Sequence, residues 1–241
     1  MKIVLIGYGK MGKTIEALAK QQNHDIILTI DADNLADLGS DLFKSADVAI
    51  EFTQPDQAIK NIMACFNAGI PVVCGTTGWY DSLPKLTEVC QEKNGSLLYA
   101  SNFSIGVNIL FVLNKFLGKQ MGVYSEYKVS MIETHHTAKL DSPSGTAITL
   151  AEDLIRNHPK YESWSNVDVN LDNVLPILSV RENPAPGKHE IIYTSDIDEI
   201  KISHEAFNRN GFAHGAIYAA NLLKDKKGVF NFSDLLALQF S

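Results

Sequence analysis

The pattern of hydrophobic and polar positions changes about midway along the chain. In the first hundred residues, continuous apolar runs such as KIVLI at 2–6 indicate strands that are buried on both faces. These runs alternate with amphipathic stretches. The clearest helix is predicted from Pro55 to Ala68, because proline suits a first turn and Gly69 suits a helix end. The alternation predicts βαβ units and a parallel sheet.

The same reasoning predicts the other elements of this half. They are strands within 25–31, 46–53, 70–77 and 96–100, and helices around 11–19 and 81–94. The short polar segment 31–45 receives no firm structure.

After about residue 104 the pattern of apolar and polar positions is different. The sequence predicts a long helix at 106–121, a strand with one solvent-exposed face at 124–134 and a helix at 145–157. Extended stretches follow at 177–182, 189–195 and 199–207, separated by turn residues. We expect a mixed or antiparallel sheet with helices on one side.

The tail contains two further helical patterns, at 216–224 and 233–238, with Ser233 as the expected N-cap of the second. The fold class is therefore α/β: a Rossmann-type nucleotide-binding domain at 1–103, onto which 213–241 packs back, and an α+β domain with a mixed sheet at 104–212.

Composition narrows the function. The 241 residues are 45% hydrophobic and 20% charged, as in globular proteins, and the net charge of −7 argues against nucleic acid or an anionic membrane surface as partner. No apolar run approaches the roughly 18 residues of a membrane helix. The three cysteines form no C-x-x-C pair, which favours buried free thiols and a cytoplasmic location.

A glycine-rich motif, GYGKMG, lies between the first strand and the first helix. Gly7, Gly9 and Gly12 have the dinucleotide-binding spacing, and Asp31 stands nineteen positions beyond Gly12 at the end of the second strand. Such glycines permit a tight turn, close approach of a pyrophosphate and close helix packing. A carboxylate at Asp31 would bind ribose hydroxyls and repel a 2′-phosphate, so NADH is favoured and NADPH stays open. The alternative is a glycine-rich turn without a ligand.

Two later loops follow strands of the same predicted sheet, whose carboxyl ends line the ligand crevice. The first contains Gly75, Thr76 and Thr77, and the second runs from Ala100 through Ser101 and Asn102 to Phe103. Both are candidates for contact with the nicotinamide ribose, and each is equally compatible with a simple turn.

The stretch ETHHTAKLDSPSGTA, 133–147, carries the second chemical signal. We expect Pro143 in the first turn of a helix, so that Ser144, Gly145 and Thr146 present free amides and two hydroxyls to a carboxylate. Simple capping by Ser142 or Ser144 is the competing interpretation.

Two histidines and a lysine stand just upstream of that turn. His135 and His136 point in different directions on an extended chain, which suggests separate roles. The cation of Lys139 would make His135 a readier proton donor through like-charge repulsion. A proton donor beside an anion site and a hydride source suits reduction of a carbon–nitrogen double bond in an acidic substrate. Metal binding by the histidines is a rival for which no partner falls at the usual spacing, so no metal is expected.

Together, HHTAKLDSPSGTA, GYGKMG, GTTGW and ASNFSIGVN resemble the 4-hydroxy-tetrahydrodipicolinate reductase (dihydrodipicolinate reductase) family of lysine and diaminopimelate biosynthesis. The resemblance implies an NAD(P)H-dependent oxidoreductase, a dicarboxylate substrate and a homotetramer built by the sheets of the second domain. It implies His135 as acid/base residue, Lys139 as proton donor, and His136, Ser144, Gly145 and Thr146 as carboxylate ligands. The cofactor residues it implies are Gly7, Tyr8, Gly9, Lys10, Met11, Gly12, Asp31, Gly75, Thr76, Thr77, Ala100, Ser101, Asn102 and Phe103.

The chain departs from that family in two places. Many relatives carry a basic residue after the acid of the second strand, where this chain has Ala32, which strengthens the preference for NADH. The segment from Asp31 to Ser45 is also shorter, so an element of the adenine pocket's outer wall is expected to be missing or reduced.

Two other functions remain open at this stage. A homoserine dehydrogenase-like enzyme would share the glycine motif but has no evident use for the histidine stretch, and would accept aspartate semialdehyde alone. A dinucleotide-sensing protein without catalysis would be insensitive to loss of His135 or Lys139.

Overall fold

The computed structural model describes residues 1–167, 171–208 and 210–236, and divides into two compact units. The first unit comprises Met1–Ile105 together with the chain after Asn208, and the second comprises Gly106–Asn208. Within the described residues, no helix has the length and apolar character that crossing a membrane requires.

The first unit has a six-stranded, fully parallel sheet with the order β11-β5-β4-β3-β1-β2. Its strands are β1 (Lys2–Ile6), β2 (Asp25–Ile30), β3 (Val48–Glu51), β4 (Val72–Cys74), β5 (Ser96–Tyr99) and β11 (Gly228–Asn231). Its helices are α1 (Lys10–Gln21), α2 (Asp41–Lys44), α3 (Pro55–Ala68), α4 (Leu83–Glu92), α7 (Asn210–Leu223) and α8 (Phe232–Leu235). The parallel Rossmann-type sheet predicted from the alternation is confirmed.

Hydrophobic layers cover both faces of this sheet, as continuous apolar strands require. On one face α1 and α7 pack against Ile3 and Leu5 of β1, and on the other α3 and α4 pack against Val4 and Ile6. The helix α3 ends as predicted at Gly69, whose φ of +73° is left-handed. The cysteines Cys65, Cys74 and Cys90 are free and buried in the second of these layers.

The second unit has a mixed five-stranded sheet with the order β10-β9-β6-β8-β7, which confirms the predicted mixed sheet. Its strands are β6 (Lys128–His135), β7 (Ser163–Ser165), β8 (Val174–Arg181), β9 (Gly187–Thr194) and β10 (Glu199–Ala206). The helices α5 (Ile105–Met121) and α6 (Gly145–Asn157) pack on the face that carries Met131, Ile177 and Ile191.

Several details differ from the sequence predictions. β6 begins at Lys128 and extends through His135, whereas we expected a strand from 124 to 134. The short strands β7 and β11 were not predicted, because SWS and GVFN lack the continuous apolar run that marks the equally short β3, β4 and β5. Ser233 is not the N-cap of α8, since the side chain of Asn231 accepts a hydrogen bond from the Ser233 amide. The predicted end of that helix, Leu238, lies outside the described residues.

Candidate functional site

The glycine-rich turn between β1 and α1 has a distinct geometry at each glycine. Gly7 has φ +94°, and a Cβ there would lie 2.0 Å from the Phe52 carbonyl oxygen. A Cβ at Gly12 would lie 2.3 Å from the Gly7 carbonyl oxygen, whereas a Cβ at Gly9 would meet nothing within 4 Å. Gly7 is therefore needed for the turn, Gly12 for helix packing, and Gly9 leaves open space at the uncapped start of α1, as a pyrophosphate requires.

A cavity of about 440 Å³ lies beside this turn, at the carboxyl ends of β1, β2 and β3. Gly7, Tyr8, Gly9 and Asp31 line it, together with residues that the sequence analysis did not select. These are Ile6, Ile30, Ala32, Leu35, Phe52, Thr53, Gln54, Gln57 and Asn61. Phe52 and Thr53 directly follow β3, so the rule that selected the loops after β4 and β5 should also have selected them.

The segment after Asp31 forms the outer wall of that cavity. It forms a 3₁₀ turn, Ala32–Asp37, and the one-turn helix α2. The Asp31 carboxylate caps the 3₁₀ turn by accepting a hydrogen bond from the Ala32 amide at 2.9 Å. Leu35 of this turn contributes the apolar part of the wall.

A second cavity of the first unit, about 210 Å³, is lined by Met11, Phe52, Gly75, Ser101, Asn102, Phe103 and Phe212. Phe52 borders both cavities. A Cβ at Gly75 would lie 2.1 Å from the Phe52 ring, so glycine is required there for the ring to pack against the loop. The predicted loops after β4 and β5 thus line the same cavity as Met11 of the glycine motif.

Five of the predicted cofactor residues line neither cavity: Lys10, Gly12, Thr76, Thr77 and Ala100. Thr76 is buried, and its hydroxyl accepts a hydrogen bond from the Thr53 amide at 2.8 Å. It therefore fixes the loop after β3. Ala100 belongs to the hydrophobic core, and Lys10 and Thr77 are exposed.

In the second unit, the PSGT turn begins α6 in a way that corrects the prediction. Pro143 is not in the first turn, because the helix begins at Gly145 and Ser144 is its N-cap. The Ser144 amide is not free, since it donates to the Glu133 carboxylate at 3.0 Å. Its hydroxyl accepts from the Ala147 amide at 3.2 Å, so the capping alternative holds for Ser144.

The next two residues of this turn differ in their surroundings. Gly145 is exposed, and a Cβ there would meet nothing within 4 Å, which leaves room for a ligand at the positive end of α6. Thr146, by contrast, is buried.

The two histidines before the turn do have different environments, as predicted. His135 ends β6 and is buried, whereas His136 is half-buried in the following loop, where its carbonyl accepts from the Lys139 amide at 3.1 Å. Lys139 is not a free cation, because its ammonium contacts both carboxylate oxygens of Asp141 at 2.8 Å. Burial alone would raise the pKa of Asp141, but the hydrogen bond and charge of Lys139 hold it below its ordinary value.

Glu133, which the sequence did not indicate as a site residue, is fully buried. One carboxylate oxygen accepts from Ser179 Oγ at 2.8 Å and Arg181 Nη2 at 3.0 Å. The other accepts from the Ser144 amide and lies 3.4 Å from His135 Nε2. The only sequence signal was its position two residues before His135, on the same face of the strand.

Glu133 is ionised in this setting. Burial acts to raise its pKa, but the hydrogen bonds from His135, Ser144, Ser179 and Arg181 together hold the pKa well below its usual range. Arg181 also donates to the Asp141 carbonyl at 2.8 Å, so it connects the buried carboxylate to the loop that carries Lys139.

His189 of β9 completes the cluster and was also missed. Its Nε2 lies 3.1 Å from Ser144 Oγ and 3.4 Å from His135 Nε2. Burial, with a smaller effect of the neighbouring His135, lowers the pKa of His189 to about 3, so the ring is neutral at working pH. Glu133, His135 and His189 also have potential metal-ligand atoms within 4.8 Å of one another. The residues that the fold brings next to His135 are thus Glu133 and His189, and the sequence indicated neither.

Comparisons with known proteins cover nearly the whole chain. The family models described as "Dihydrodipicolinate reductase, N-terminus" and "Dihydrodipicolinate reductase, C-terminus" match residues 1–103 and 106–236. A 4-hydroxy-tetrahydrodipicolinate reductase from Christiangramia forsetii is 46% identical over 237 residues, 98% of each chain. One from Rickettsia bellii is 36% identical over 94% of this chain and 90% of its own.

Among solved structures, a dipicolinate-bound dihydrodipicolinate reductase from Paenisporosarcina sp. TG-14 has the same fold. Its TM-score is 0.75 with 24% identity, over 97% of this chain and 99% of that one.

Proposed function

The chain belongs to the dihydrodipicolinate reductase family, and from this we infer that it catalyses the NAD(P)H-dependent reduction of 4-hydroxy-tetrahydrodipicolinate to tetrahydrodipicolinate in lysine and diaminopimelate biosynthesis. The substrate loses water and gains a hydride and a proton. The observation that carries this function is the pair of open glycine-containing helix starts, one suited to a pyrophosphate and one to a carboxylate.

We further propose NADH as the preferred cofactor. The residues of the first unit fit a dinucleotide, because Gly9 leaves space at the start of α1 and Asp31 lines the adjoining cavity. When bound, the cofactor supplies the hydride. With Asp31 assigned to the adenosine ribose, neither it nor Ala32 offers a cation to a 2′-phosphate, which supports NADH over NADPH.

For the second unit, we propose that one substrate carboxylate binds at the start of α6, to Gly145 and Thr146, with His136 nearby. His135 exchanges a proton with the substrate, and Lys139 donates one. The ion pair of Lys139 with Asp141 supports this role, because Asp141 orients the ammonium until substrate binds.

A steady-state assay with enzymatically generated substrate and both cofactors tests the function. We expect turnover with this substrate, a higher kcat/KM for NADH, and none with aspartate semialdehyde alone. Ala32→Arg should shift the NADPH/NADH ratio of kcat/KM upward by about tenfold, since a charged contact is worth roughly 1.5–3 kcal/mol. No oxidation of NADH or NADPH would refute the proposed function, and an unchanged ratio would refute the assigned ribose site.

We propose that the chain forms a homotetramer through the sheet face that is opposite α5 and α6. Ile132 and Leu178 are paired neighbours on that face, and Leu178 is 58% exposed. Glu190, paired with Lys188 and Lys201, borders this apolar centre. Leu178→Asp should lower the mass measured by light scattering, whereas Leu171→Asp, at a comparably exposed leucine outside the sheet, should not. A monomeric wild type would contradict the assembly.

The location proposed for the enzyme is the cytoplasm, which the three free thiols support.

A further inference from the structure

The buried carboxylate of Glu133 is placed to control the protonation of His135. Glu133 and His135 are two residues apart on β6, so both side chains lie on the same face. Their nearest atoms, Glu133 Oε2 and His135 Nε2, are 3.4 Å apart. Glu133 has no exposed surface, and the His135 side chain is 11% exposed. Their contact is therefore shielded from solvent.

The charge of Glu133 fixes which nitrogen of His135 carries a hydrogen. Four groups other than His135, namely the Ser144 amide, Ser179, Arg181 and the nearby His189, surround the carboxylate, and the first three donate to it. An ionised carboxylate can only accept hydrogen bonds. The nitrogen that faces it, His135 Nε2, must therefore carry the hydrogen.

The neighbouring His189 is compatible with this arrangement. Its Nε2 faces His135 Nε2 at 3.4 Å, and two N–H groups cannot point at each other. The Ser144 hydroxyl already accepts from the Ala147 amide and retains its own hydrogen for His189 Nε2, 3.1 Å away. His189 Nε2 then accepts the Ser144 hydrogen and points no N–H toward His135, and the neutral ring carries its hydrogen on Nδ1.

The other nitrogen of His135, Nδ1, faces a wall without a side chain. A Cβ added at Gly187 would lie 3.0 Å from His135 Cε1 and 3.3 Å from Nδ1. Gly187 therefore places no side chain on the Nδ1 edge of the ring, whereas the Nε2 edge faces Glu133 and His189.

We propose that Glu133 is a positioning residue: its carboxylate holds the His135 hydrogen on Nε2, so that Nδ1 is the nitrogen that exchanges a proton with the substrate. This rests on the role proposed above for His135. A carboxylate behind a histidine selects the tautomer and stabilises the imidazolium, as it does in hydrolase triads. The same carboxylate binds the Ser144 amide, so it also fixes the start of α6 relative to His135.

A divalent cation is the competing occupant of this cluster, because Glu133, His135 and His189 offer three ligand atoms. Arg181 argues against it, since a guanidinium 3.0 Å from the carboxylate would repel a second cation. If a metal were bound, His135 Nε2 would be a ligand and would carry no hydrogen.

Nuclear magnetic resonance of the full-length protein with ¹⁵N-labelled histidine rings tests the inference directly. The His135 signals are assigned by their loss in His135→Gln. We expect a protonated Nε2 and an unprotonated Nδ1 in the wild type, with or without EDTA. A hydrogen on Nδ1 instead, or a tautomer that changes on chelation, would overturn the proposal without the need for any variant.

Glu133→Gln then tests the role of the charge. We expect the His135 hydrogen to be no longer confined to Nε2, the kcat–pH profile to move, and kcat to fall by about 10²- to 10⁴-fold. Glu133→Asp should restore part of the preference for the Nε2 hydrogen. Ser179→Ala, which removes a donor from the oxygen that faces away from His135, should keep the tautomer.

The outcomes separate this inference from the proposed function. Turnover that survives His135→Ala would remove His135 from the reaction and this inference with it. If His135→Ala is inactive but Glu133→Gln leaves the tautomer and the pH profile unchanged, only the role of Glu133 is wrong. A purely structural role would lower thermal stability in Glu133→Gln without moving either readout.

Discussion

The starts of α1 and α6 are two solutions to the same problem, which is how to present helix amides to an anion. At α1 the N-cap is Gly9, and no side chain caps the helix. At α6 the N-cap is Ser144, whose amide and hydroxyl are both engaged by other groups of the protein. At α1 the helix start has no side-chain cap, which leaves room for a ligand to bind there. At α6 the protein itself caps the helix, and the space beside Gly145 stays open.

The difference matches the tasks proposed for the two sites. A pyrophosphate needs only close approach to amides and the positive end of a helix dipole. A substrate that must also receive a proton needs a fixed orientation relative to acid/base groups, because misplacement of reacting groups is costly. At α6, Glu133 fixes the helix start relative to His135, because its carboxylate contacts both Ser144 and His135.

The largest effect is expected when the proposed acid/base residues near α6 are replaced. His135→Ala and Lys139→Ala should each lower kcat by about 10²- to 10⁴-fold, because proton transfer typically contributes that much. NADH affinity, measured by fluorescence titration, should change less than about twofold. Wild-type turnover in both variants would mean that α6 is a binding site without the proposed chemistry.

A matched pair of substitutions tests whether the two starts bind different ligands. Gly9→Ala and Gly145→Ala each add a methyl group where nothing lies within 4 Å, so both proteins should keep their melting temperature. Gly9→Ala should weaken NADH by about tenfold, roughly 1.4 kcal/mol, and spare the dicarboxylate probe dipicolinate. Gly145→Ala should show the reverse. Calorimetric titration of each variant with both ligands measures these affinities. If each variant lost the same affinity for both ligands, the two helix starts would not bind different ligands.

Mild acid provides a third test, because a buried neutral histidine adjoins the α6 start. The pKa of His189 is about 3 in the folded protein, against about 6.5 when unfolded, so the unfolded chain binds the proton first as pH falls. Its contribution to stability is complete above about pH 6.5 and declines toward pH 3, by up to about 1.4 kcal/mol per pH unit.

The corresponding measurement is urea unfolding between pH 7 and pH 5. The free energy of unfolding should fall more steeply in the wild type than in His189→Gln, with a difference of about 2 kcal/mol at pH 5. His158→Gln is a suitable control, because its pKa is also lowered by burial but it lies away from the α6 start. Identical slopes in wild type and His189→Gln would show that His189 is not held neutral.

The smallest expected effect concerns the cap itself. Ser144→Ala removes the hydroxyl that accepts from Ala147, which should cost about 1 kcal/mol and lower the melting temperature by about 2–4 °C. Dipicolinate should bind as before, because Ser144 is engaged by the protein. A loss of dipicolinate affinity at unchanged stability would return Ser144 to the set of substrate ligands.

Local patterns predicted most of the fold. α6 begins and ends at the predicted residues, Gly145 and Asn157, and α3 runs from Pro55 to Ala68, because capping and periodicity are properties of neighbouring residues. The strand β11 was not predicted, since pairing with β5 across more than a hundred residues leaves no mark in a four-residue sequence.

The candidate site also contains residues that the sequence could predict and residues that it could not. Residues in contiguous motifs, such as Gly7 to Gly12 and the histidine stretch, could be identified from spacing. Arg181 and His189 could not, because they reach Glu133 only through the pairing of β6 with β8 and β9. Sequence reasoning also treated Lys139 as a free cation, since the geometry of a turn that brings Asp141 to it is not visible in the sequence.

The position of β11 at the edge of the first sheet has a consequence for biosynthesis. This strand joins β5 only after the whole second unit has been translated, and the Ser96 hydroxyl binds the Lys226 carbonyl across 130 positions of the chain. On the ribosome, the nascent nucleotide-binding unit therefore exposes the edge of β5 until the last elements emerge. The second unit, which is continuous, can finish folding first.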